Sequence, residues 1–287
     1  WVSAKDVILE LLRRIDVKGG VGKVLEYIGP GVESLSVPDR ATITNMGTET
    51  GCTTSIFPSD NITKKFLEAQ GRGDQWVEIK PDDDAEYDEI IEINLSELEP
   101  LVAMPHSPGN VKPVREVAGI KVDQVCVGSC TNSSLRDLKV VANALKGKTI
   151  AENVSLTISP GSRQVVEHLI ESGEMKYLVQ AGARILENTC GPCIGMGSAP
   201  NSAGVSVRTF NRNFEGRSGT KDAQVMLVSP EVAVATALKG VLTDPRELGD
   251  YPEIDMPDKF FVNENMMIKP LPYEEAKKVD VIDGPNI

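Results

Sequence analysis

The stretch KVDQVCVGSCTNSSLRDLKVVANALKG (121–147) decides the fold. Its first eight residues are rich in valine and mostly apolar, which predicts a buried strand. From Ser133 onward, leucine and valine recur at helical intervals up to Gly147, which predicts a helix that ends at a glycine. A strand that leads directly into a helix is the repeating unit of a parallel α/β sheet.

The same order of strand and helix continues downstream. The predicted strands are NVSLTIS (153–159), GARILE (182–187), VSVRTF (205–210) and AQVMLVS (223–229), and the predicted helices are RQVVEHLIESG (163–173) and PEVAVATALKG (230–240). This alternation predicts an α/β fold with a mostly parallel sheet flanked by helices. In such sheets, ligands bind at the carboxyl ends of the strands.

The first hundred residues contain a second set of predicted elements. SAKDVILELLRRI (3–15) and ITKKFLEAQ (62–70) have helical apolar spacing, and YDEIIEINL (87–95) alternates as a strand does. Four prolines then crowd into LEPLVAMPHSPGNVKPV (98–114). This stretch is predicted to be a linker, because proline removes backbone donors and fixes φ.

We therefore expect two similar α/β domains. The first spans 1–112 and ends in the proline-rich linker, and the second spans 113–250 and carries four of the five cysteines, among them Cys130, Cys190 and Cys193. The remainder, 251–287, is polar and rich in proline, and we expect an irregular connector. The chain begins with Trp1 rather than Met, so we expect it to be a piece of a longer protein.

Composition narrows the function classes. The formal net charge is −12, which disfavours binding to DNA, RNA or anionic membranes. No apolar run reaches the ~20 residues that a membrane-spanning helix needs. Five cysteines are an odd number and too few for a disulfide framework, so we expect a reducing compartment, with the cytoplasm as the default.

Three of the five cysteines follow predicted strands. Cys130 comes after the strand in 121–128, and Cys190 and Cys193 form a CxxC pair after GARILE, so the three sulfurs can converge at one sheet edge. A structural zinc site needs a fourth ligand, and a thioredoxin-like pair would open a helix. An iron–sulfur cluster usually takes four cysteines, although three would leave one iron open as a Lewis acid. Spacing alone leaves these alternatives, and coincidence, open.

Two further segments accompany the cysteines. TFNRNFEGR (209–217) places two asparagines and two arginines after a strand, and arginine suits bidentate binding of carboxylates. GSCTNSSLRDL (128–138) places several helix-capping side chains directly after Cys130. The N–H groups at a helix start can stabilise thiolate charge. Taken alone, each segment also fits an ordinary surface loop or capped helix.

Together these segments resemble the aconitase family over nearly the whole chain. The matching segments are IGPGVESLSVPDRATITNMG (28–47), NMGTETGCTTSIFPSD (45–60), VGSCTNSS (127–134), ENTCGPCIGMG (187–197) and NRNFEGR (211–217). The resemblance implies an aconitate hydratase, an iron–sulfur hydro-lyase that interconverts citrate and isocitrate through cis-aconitate. Segment 45–60 looks more like the true aconitases than like the isopropylmalate isomerases of the same superfamily.

The resemblance also implies the site residues. Cys130, Cys190 and Cys193 correspond to the ligands of a [4Fe–4S] cluster that has three Cys ligands and one open iron. Glu49 corresponds to a catalytic acid near the iron-bound hydroxyl. The implied substrate-binding residues are Asn45 and Asn211 beside the cluster, with Arg212 and Arg217 on the substrate carboxylates.

The resemblance further implies that the family's first domain and its C-terminal swivelling domain lie outside this chain, since DGPNI (283–287) resembles the segment before the latter. The expected partners are a small tricarboxylate substrate and those missing domains, so the chain alone is expected to be inactive. Three alternatives stay open. They are an isopropylmalate or homoaconitate hydro-lyase large subunit, a cluster-free RNA-binding relative, and a folded module without a cluster.

Overall fold

The computed structural model describes residues 1–281 and 284. Short apolar runs form its strands. Within those residues the strands are β1 (Val24–Glu26), β2 (Thr54–Ile56), β3 (Leu101–Ala103), β4 (Val111–Pro113), β5 (Gln124–Gly128), β6 (Ser155–Ser159), β7 (Arg184–Ile185), β8 (Val205–Arg208) and β9 (Gln224–Val228). The α-helices are α1 (Ala4–Ile15), α2 (Val37–Gly47), α3 (Asn61–Ala69), α4 (Val114–Val117), α5 (Leu135–Leu145), α6 (Arg163–Glu171), α7 (Glu174–Ala181), α8 (Pro230–Lys239) and α9 (Tyr273–Ala276).

Seven strands form one sheet in the order β4-β3-β9-β8-β5-β6-β7. The five strands from β9 to β7 run parallel, whereas β3 is antiparallel to both β4 and β9. Strand β5, the middle one of the five parallel strands, is buried along its whole length, and helices α5 and α8 pack together beside it. The predicted α/β fold, with a mostly parallel sheet flanked by helices, is confirmed.

The proline-rich stretch 98–114 is not a linker, which corrects the prediction. It contains β3 and β4, and Pro113 ends β4 at the edge of the sheet, where a missing N–H costs no ladder bond. Along β3 the side chains alternate between two cores. Val102 packs into the larger core, and Leu101 and Ala103 pack into a smaller core with α1. The division of the chain into domains at residue 112 stays a prediction.

Helix α1 fastens the first part of the chain to the large sheet. Ser3 precedes the helix as its N-cap, and the Ser3 N–H donates to Asp6 Oδ2 at 2.9 Å. The other Asp6 oxygen accepts the backbone N–H of Leu101 at 2.8 Å, which ties the first turn of α1 to β3. The only sheet that the described residues of this part form by themselves is the parallel pair β1–β2.

Two other predicted segments have different outcomes. The strand predicted over 87–95 does not form. Ile90 is 79% exposed, while Ile91 and Ile93 pack against the smaller core. The alternating isoleucines of this segment are therefore buried by that core and not by pairing with a neighbouring strand. Between residues 251 and 281 the chain is irregular except for α9 and isolated turns, and its role as a connector stays a prediction. The DGPNI segment lies outside the described residues apart from Gly284.

The described helices are each too short or too polar to cross a membrane.

Candidate functional site

Four segments meet at the carboxyl edge of the parallel strands. Cys130 follows β5, the CxxC pair follows β7, and the segment 211–217 follows β8. Because these three strands are parallel, their following loops emerge on one side of the sheet. The fourth segment is the end of α2 with the 3₁₀ turn Thr48–Thr50, which brings Asn45 and Glu49 to the same place.

The turn that carries Cys130 requires a glycine. Gly128 ends β5 with φ at +119°, and a Cβ there would lie 1.9 Å from the carbonyl oxygen of Ser159. Ser129 also has a positive φ of 65°, so the chain turns sharply before Cys130. Ser134 then caps α5, with its side chain accepting the N–H of Asp137. This turn leaves the Cys130 thiol exposed at the sheet edge.

The CxxC pair belongs to a 3₁₀ turn, Gly191–Ile194, that contains Cys193 and that Cys190 precedes as the N-cap, and the pair does not open an α-helix. The N–H of Cys193 donates to the carbonyl of Cys190 at 3.0 Å. Gly195 closes the turn with φ at +85° and packs directly against Ser218, where a Cβ would come within 2.5 Å of the carbonyl oxygen. As a result Cys190 is exposed, and Cys193 is buried.

The three sulfurs share one neighbourhood. Burial raises the pKa of the Cys193 thiol, the guanidinium of Arg217 opposes that rise, and charges on Cys130 and Cys190 add to it. Arg217 Nη2 donates to Cys193 Sγ at 3.7 Å. Cys130 and Cys190 therefore lie within electrostatic reach of the Cys193 thiol at this edge, and their role as joint ligands stays a prediction.

Two asparagine amides lie beside the sulfurs. Asn45 Oδ1 is 4.0 Å from Cys130 Sγ, and Asn211 Oδ1 is 4.0 Å from Cys193 Sγ. The hydroxyl of Thr131 donates to Asn45 Oδ1 at 3.0 Å and fixes that side chain. A rotation of either amide would turn its NH₂ group toward the sulfur, and such a donor stabilises thiolate or sulfide charge.

Glu49 and Arg212 form a direct ion pair. Arg212 Nε donates to Glu49 Oε1 at 2.7 Å, and the glutamate is buried while the arginine side chain is 38% exposed. Burial raises the pKa of Glu49, although Arg212 and then Arg217 pull it down. The exposed part of Arg212 leaves guanidinium N–H groups open to a ligand, because only its Nε is used by Glu49.

The three cysteines do not form a site for a single metal ion among the described residues. Among the described residues, no three His, Cys, Asp or Glu side chains form a set that could hold one metal ion. Sulfurs on one zinc ion at about 2.3 Å must lie within about 4 Å of each other. Thiolates around an iron–sulfur cluster bind different irons and stand further apart. Three thiols at one sheet edge are the type of ligand that iron–sulfur clusters take, so the chemistry of these donors is compatible with a cluster.

Sequence reasoning missed two buried cations at this site. Lys5 is completely buried, and its Nζ donates to the carbonyls of Thr209 and Phe210 at 2.8 and 2.7 Å. Arg208 is also completely buried and contacts the CxxC loop. The signal for Lys5 was present in its helical spacing, because Lys5 shares a face of α1 with Ile8, which faces the core.

Comparison with known proteins adds independent information. The sequence model of the Aconitase family (aconitate hydratase) matches residues 1–118 and 111–240. The chain is 43% identical over 247 residues to the 3-isopropylmalate dehydratase large subunit 2 of Archaeoglobus fulgidus, covering 86% of this chain and 59% of that protein. It is 42% identical over 248 residues to the 3-isopropylmalate dehydratase large subunit 1 of Thermotoga maritima, covering 85% and 59%. The chain thus spans about 59% of the length of these curated relatives.

Proposed function

The chain belongs to the aconitase family, and we propose that it is the cluster-bearing part of a hydro-lyase of that family. The observation that carries this proposal is the meeting of three cysteines, on two loops, with Glu49 and two arginines at one edge of a parallel sheet. Such an edge is where α/β proteins bind ligands.

In this proposal Cys130, Cys190 and Cys193 hold a [4Fe–4S] cluster. When bound, the cluster supplies a Lewis acid at an iron that lacks a protein ligand. Asn45 and Asn211 stand next to two of the ligand sulfurs and orient them. Arg217 adds a positive charge beside Cys193, which favours the thiolate form that metal binding requires.

Glu49 is proposed to move the proton. Its carboxyl is buried and its pKa is raised, so it holds a proton closer to neutral pH than an exposed glutamate does. The ion pair with Arg212 fixes the position of this carboxyl. The remaining N–H groups of Arg212 then orient a substrate carboxylate next to the acid, so that one arginine positions both partners of the proton transfer.

The substrate proposed is 3-isopropylmalate rather than citrate. The relatives described above are named as 3-isopropylmalate dehydratase large subunits, whereas the resemblance of segment 45–60 had favoured an aconitate hydratase. The family shared with aconitate hydratase keeps citrate as the second candidate. The words "large subunit" in those names support a smaller protein partner. The acidic charge disfavours an RNA-binding role, and a cytoplasmic location stays a prediction.

Substrate comparison tests this proposal. The anaerobically reconstituted chain is assayed for dehydration of 3-isopropylmalate, citrate and homocitrate, alone and after addition of the remaining part of the large subunit and a candidate small subunit. We expect no turnover by the chain alone, and turnover of 3-isopropylmalate well above that of citrate when both are added. Turnover by the isolated chain, or a preference for citrate, would contradict the proposal.

A further inference from the structure

Arg208 stands at the end of β8, and its side chain is completely buried. Its Nε donates to Ser206 Oγ at 2.8 Å, and its Nη2 donates to Gln124 Oε1 at 2.8 Å. Ser206 lies on the same strand, and Gln124 begins the neighbouring strand β5. These two bonds fix the guanidinium in the middle of the sheet.

The guanidinium also holds the loop that carries two of the cysteines. Its Nη1 donates to the carbonyl of Pro192, and its Nη2 donates to the carbonyl of Ser198 at 3.1 Å. Pro192 lies between Cys190 and Cys193, and Ser198 lies just after the 3₁₀ turn. The Nε2 group of Gln124 donates to Ser198 Oγ at 3.0 Å, which strengthens the same attachment.

A second contact reaches Cys193 through an aromatic ring. The Arg208 guanidinium lies over the ring of Phe210 with 5.5 Å to the centroid. Phe210 packs with Cys193 and Cys126 in a small buried cluster. Arg208 therefore supports Cys193 in two ways, through the hydrogen bond to the Pro192 carbonyl and through the ring of Phe210.

The charge of Arg208 has no carboxylate partner. None of the ion pairs formed among residues 1–281 includes it, and its four hydrogen-bond acceptors are neutral. A buried cation without a counter-charge is costly. The retention of this cation inside the sheet therefore points to the hydrogen bonds that it donates to the CxxC loop.

We propose that Arg208 is a positioning residue that holds the CxxC turn and so fixes the spacing of Cys190 and Cys193. The proposal rests on the cluster site proposed above, and it adds a residue outside the ligands and substrate-binding residues named there. Arg208 thereby holds the CxxC turn in its conformation before any iron binds.

Thiol reactivity in the iron-free chain tests the positioning directly. Alkylation rates of the individual cysteines are measured by mass spectrometry for the wild type, Arg208→Gln and Arg208→Lys. We expect Cys193 to react about tenfold faster in Arg208→Gln, the effect of losing hydrogen bonds from a charged donor. Cys130 lies on another loop, so its alkylation rate is expected to stay the same. Arg208→Lys keeps the charge but not the planar guanidinium with its several donors, so the Cys193 rate in this variant is expected to lie between those of the wild type and Arg208→Gln.

Lys139→Gln is the matched control, because it removes another buried cation, one that pairs with Glu174 at 2.7 Å in the helices beside the sheet. A loss of stability alone would raise the reactivity of all cysteines in both variants. Equal acceleration of Cys130 and Cys193, or the same pattern in Lys139→Gln, would overturn the proposal. If Arg208→Gln does not fold, the same criterion is applied to Arg208→Lys.

The rate of iron release distinguishes a failure of this proposal from a failure of the proposed function. After reconstitution, release of iron to a chelator is expected to be about tenfold faster in Arg208→Gln than in the wild type. An unchanged release rate contradicts the role of Arg208. A wild-type chain that binds no cluster contradicts the proposed function instead, while the alkylation rates still decide whether Arg208 positions the turn.

Discussion

Replacing Lys5 with methionine tests how the two parts of the chain are joined at the site. Lys5 is in α1, and its Nζ donates to the carbonyls of Thr209 and Phe210, directly before Asn211 and Arg212. Methionine has a similar length but no donor. The variant therefore removes the buried amine and leaves the two carbonyls without it.

The magnitude follows from the pKa of the amine. Burial lowers the pKa of Lys5 from 10.5 to about 7, although negative charge on Cys130, Asp137, Asp6 and Glu49 opposes the shift. The unfolded chain therefore holds the Lys5 proton between pH 7 and 10.5, where the folded chain releases it. Stability rises with pH wherever the unfolded state binds more protons. Linkage over these two pKa values gives about 2 kcal/mol between pH 7 and 9.

Urea unfolding of the iron-free chain under reducing conditions, followed by circular dichroism at pH 7, 8 and 9, measures this difference. We expect the free energy of unfolding of the wild type to rise by about 2 kcal/mol relative to Lys5→Met over that range. The lost hydrogen bonds add a constant offset that does not affect the slope. Parallel pH curves for the two proteins would refute a buried, weakly basic Lys5.

Three further changes have definite outcomes. Burial raises the pKa of Asp6 to about 7, so the free energy of unfolding of the wild type relative to Asp6→Asn falls by about 3 kcal/mol from pH 4 to 7. A difference in unfolding free energy that does not change with pH in urea unfolding would contradict this. Gly195→Ala puts a Cβ 2.5 Å from a backbone carbonyl oxygen, whereas the Cβ of Gly197→Ala meets nothing within 4 Å. The Gly195 variant is therefore expected to lose about 1–3 kcal/mol more unfolding free energy than the Gly197 variant. Equal unfolding midpoints would argue against the close approach. Arg212→Gln removes the cation that lowers the pKa of Glu49, so in the enzyme assembled with its missing parts the pH–rate limb governed by Glu49 moves to higher pH. An unmoved limb speaks against Glu49 as the proton donor.

The fold of residues 121–240 was predictable because its signal is local. Each strand and helix shows its own period of apolar residues, and the order of elements then fixes a parallel sheet. The strands β3 and β4 were missed because their pairing is not local. β3 pairs with β9, more than a hundred residues later, and the prolines around the two short strands resemble those of a linker.

The site was predictable to the extent that its residues follow strand ends. Cys130 and the CxxC pair meet because parallel strands share an edge, as the sequence analysis expected. The ion pair of Glu49 with Arg212 joins residues 163 positions apart, and no pattern within either segment indicates it. Arg208 was also missed, because a single arginine in a strand reads as a surface residue until its burial is known.

The measurement that tests the central claim most directly is the iron and sulfide content after anaerobic reconstitution, with visible absorbance and EPR. We expect about three to four irons per chain, lost in Cys130→Ser, Cys190→Ser and Cys193→Ser. Cys126→Ser is the control, because Cys126 is buried within β5, and it keeps the cluster. A colourless chain, a single zinc ion, or equal loss in the Cys126 variant would contradict the three-thiolate site.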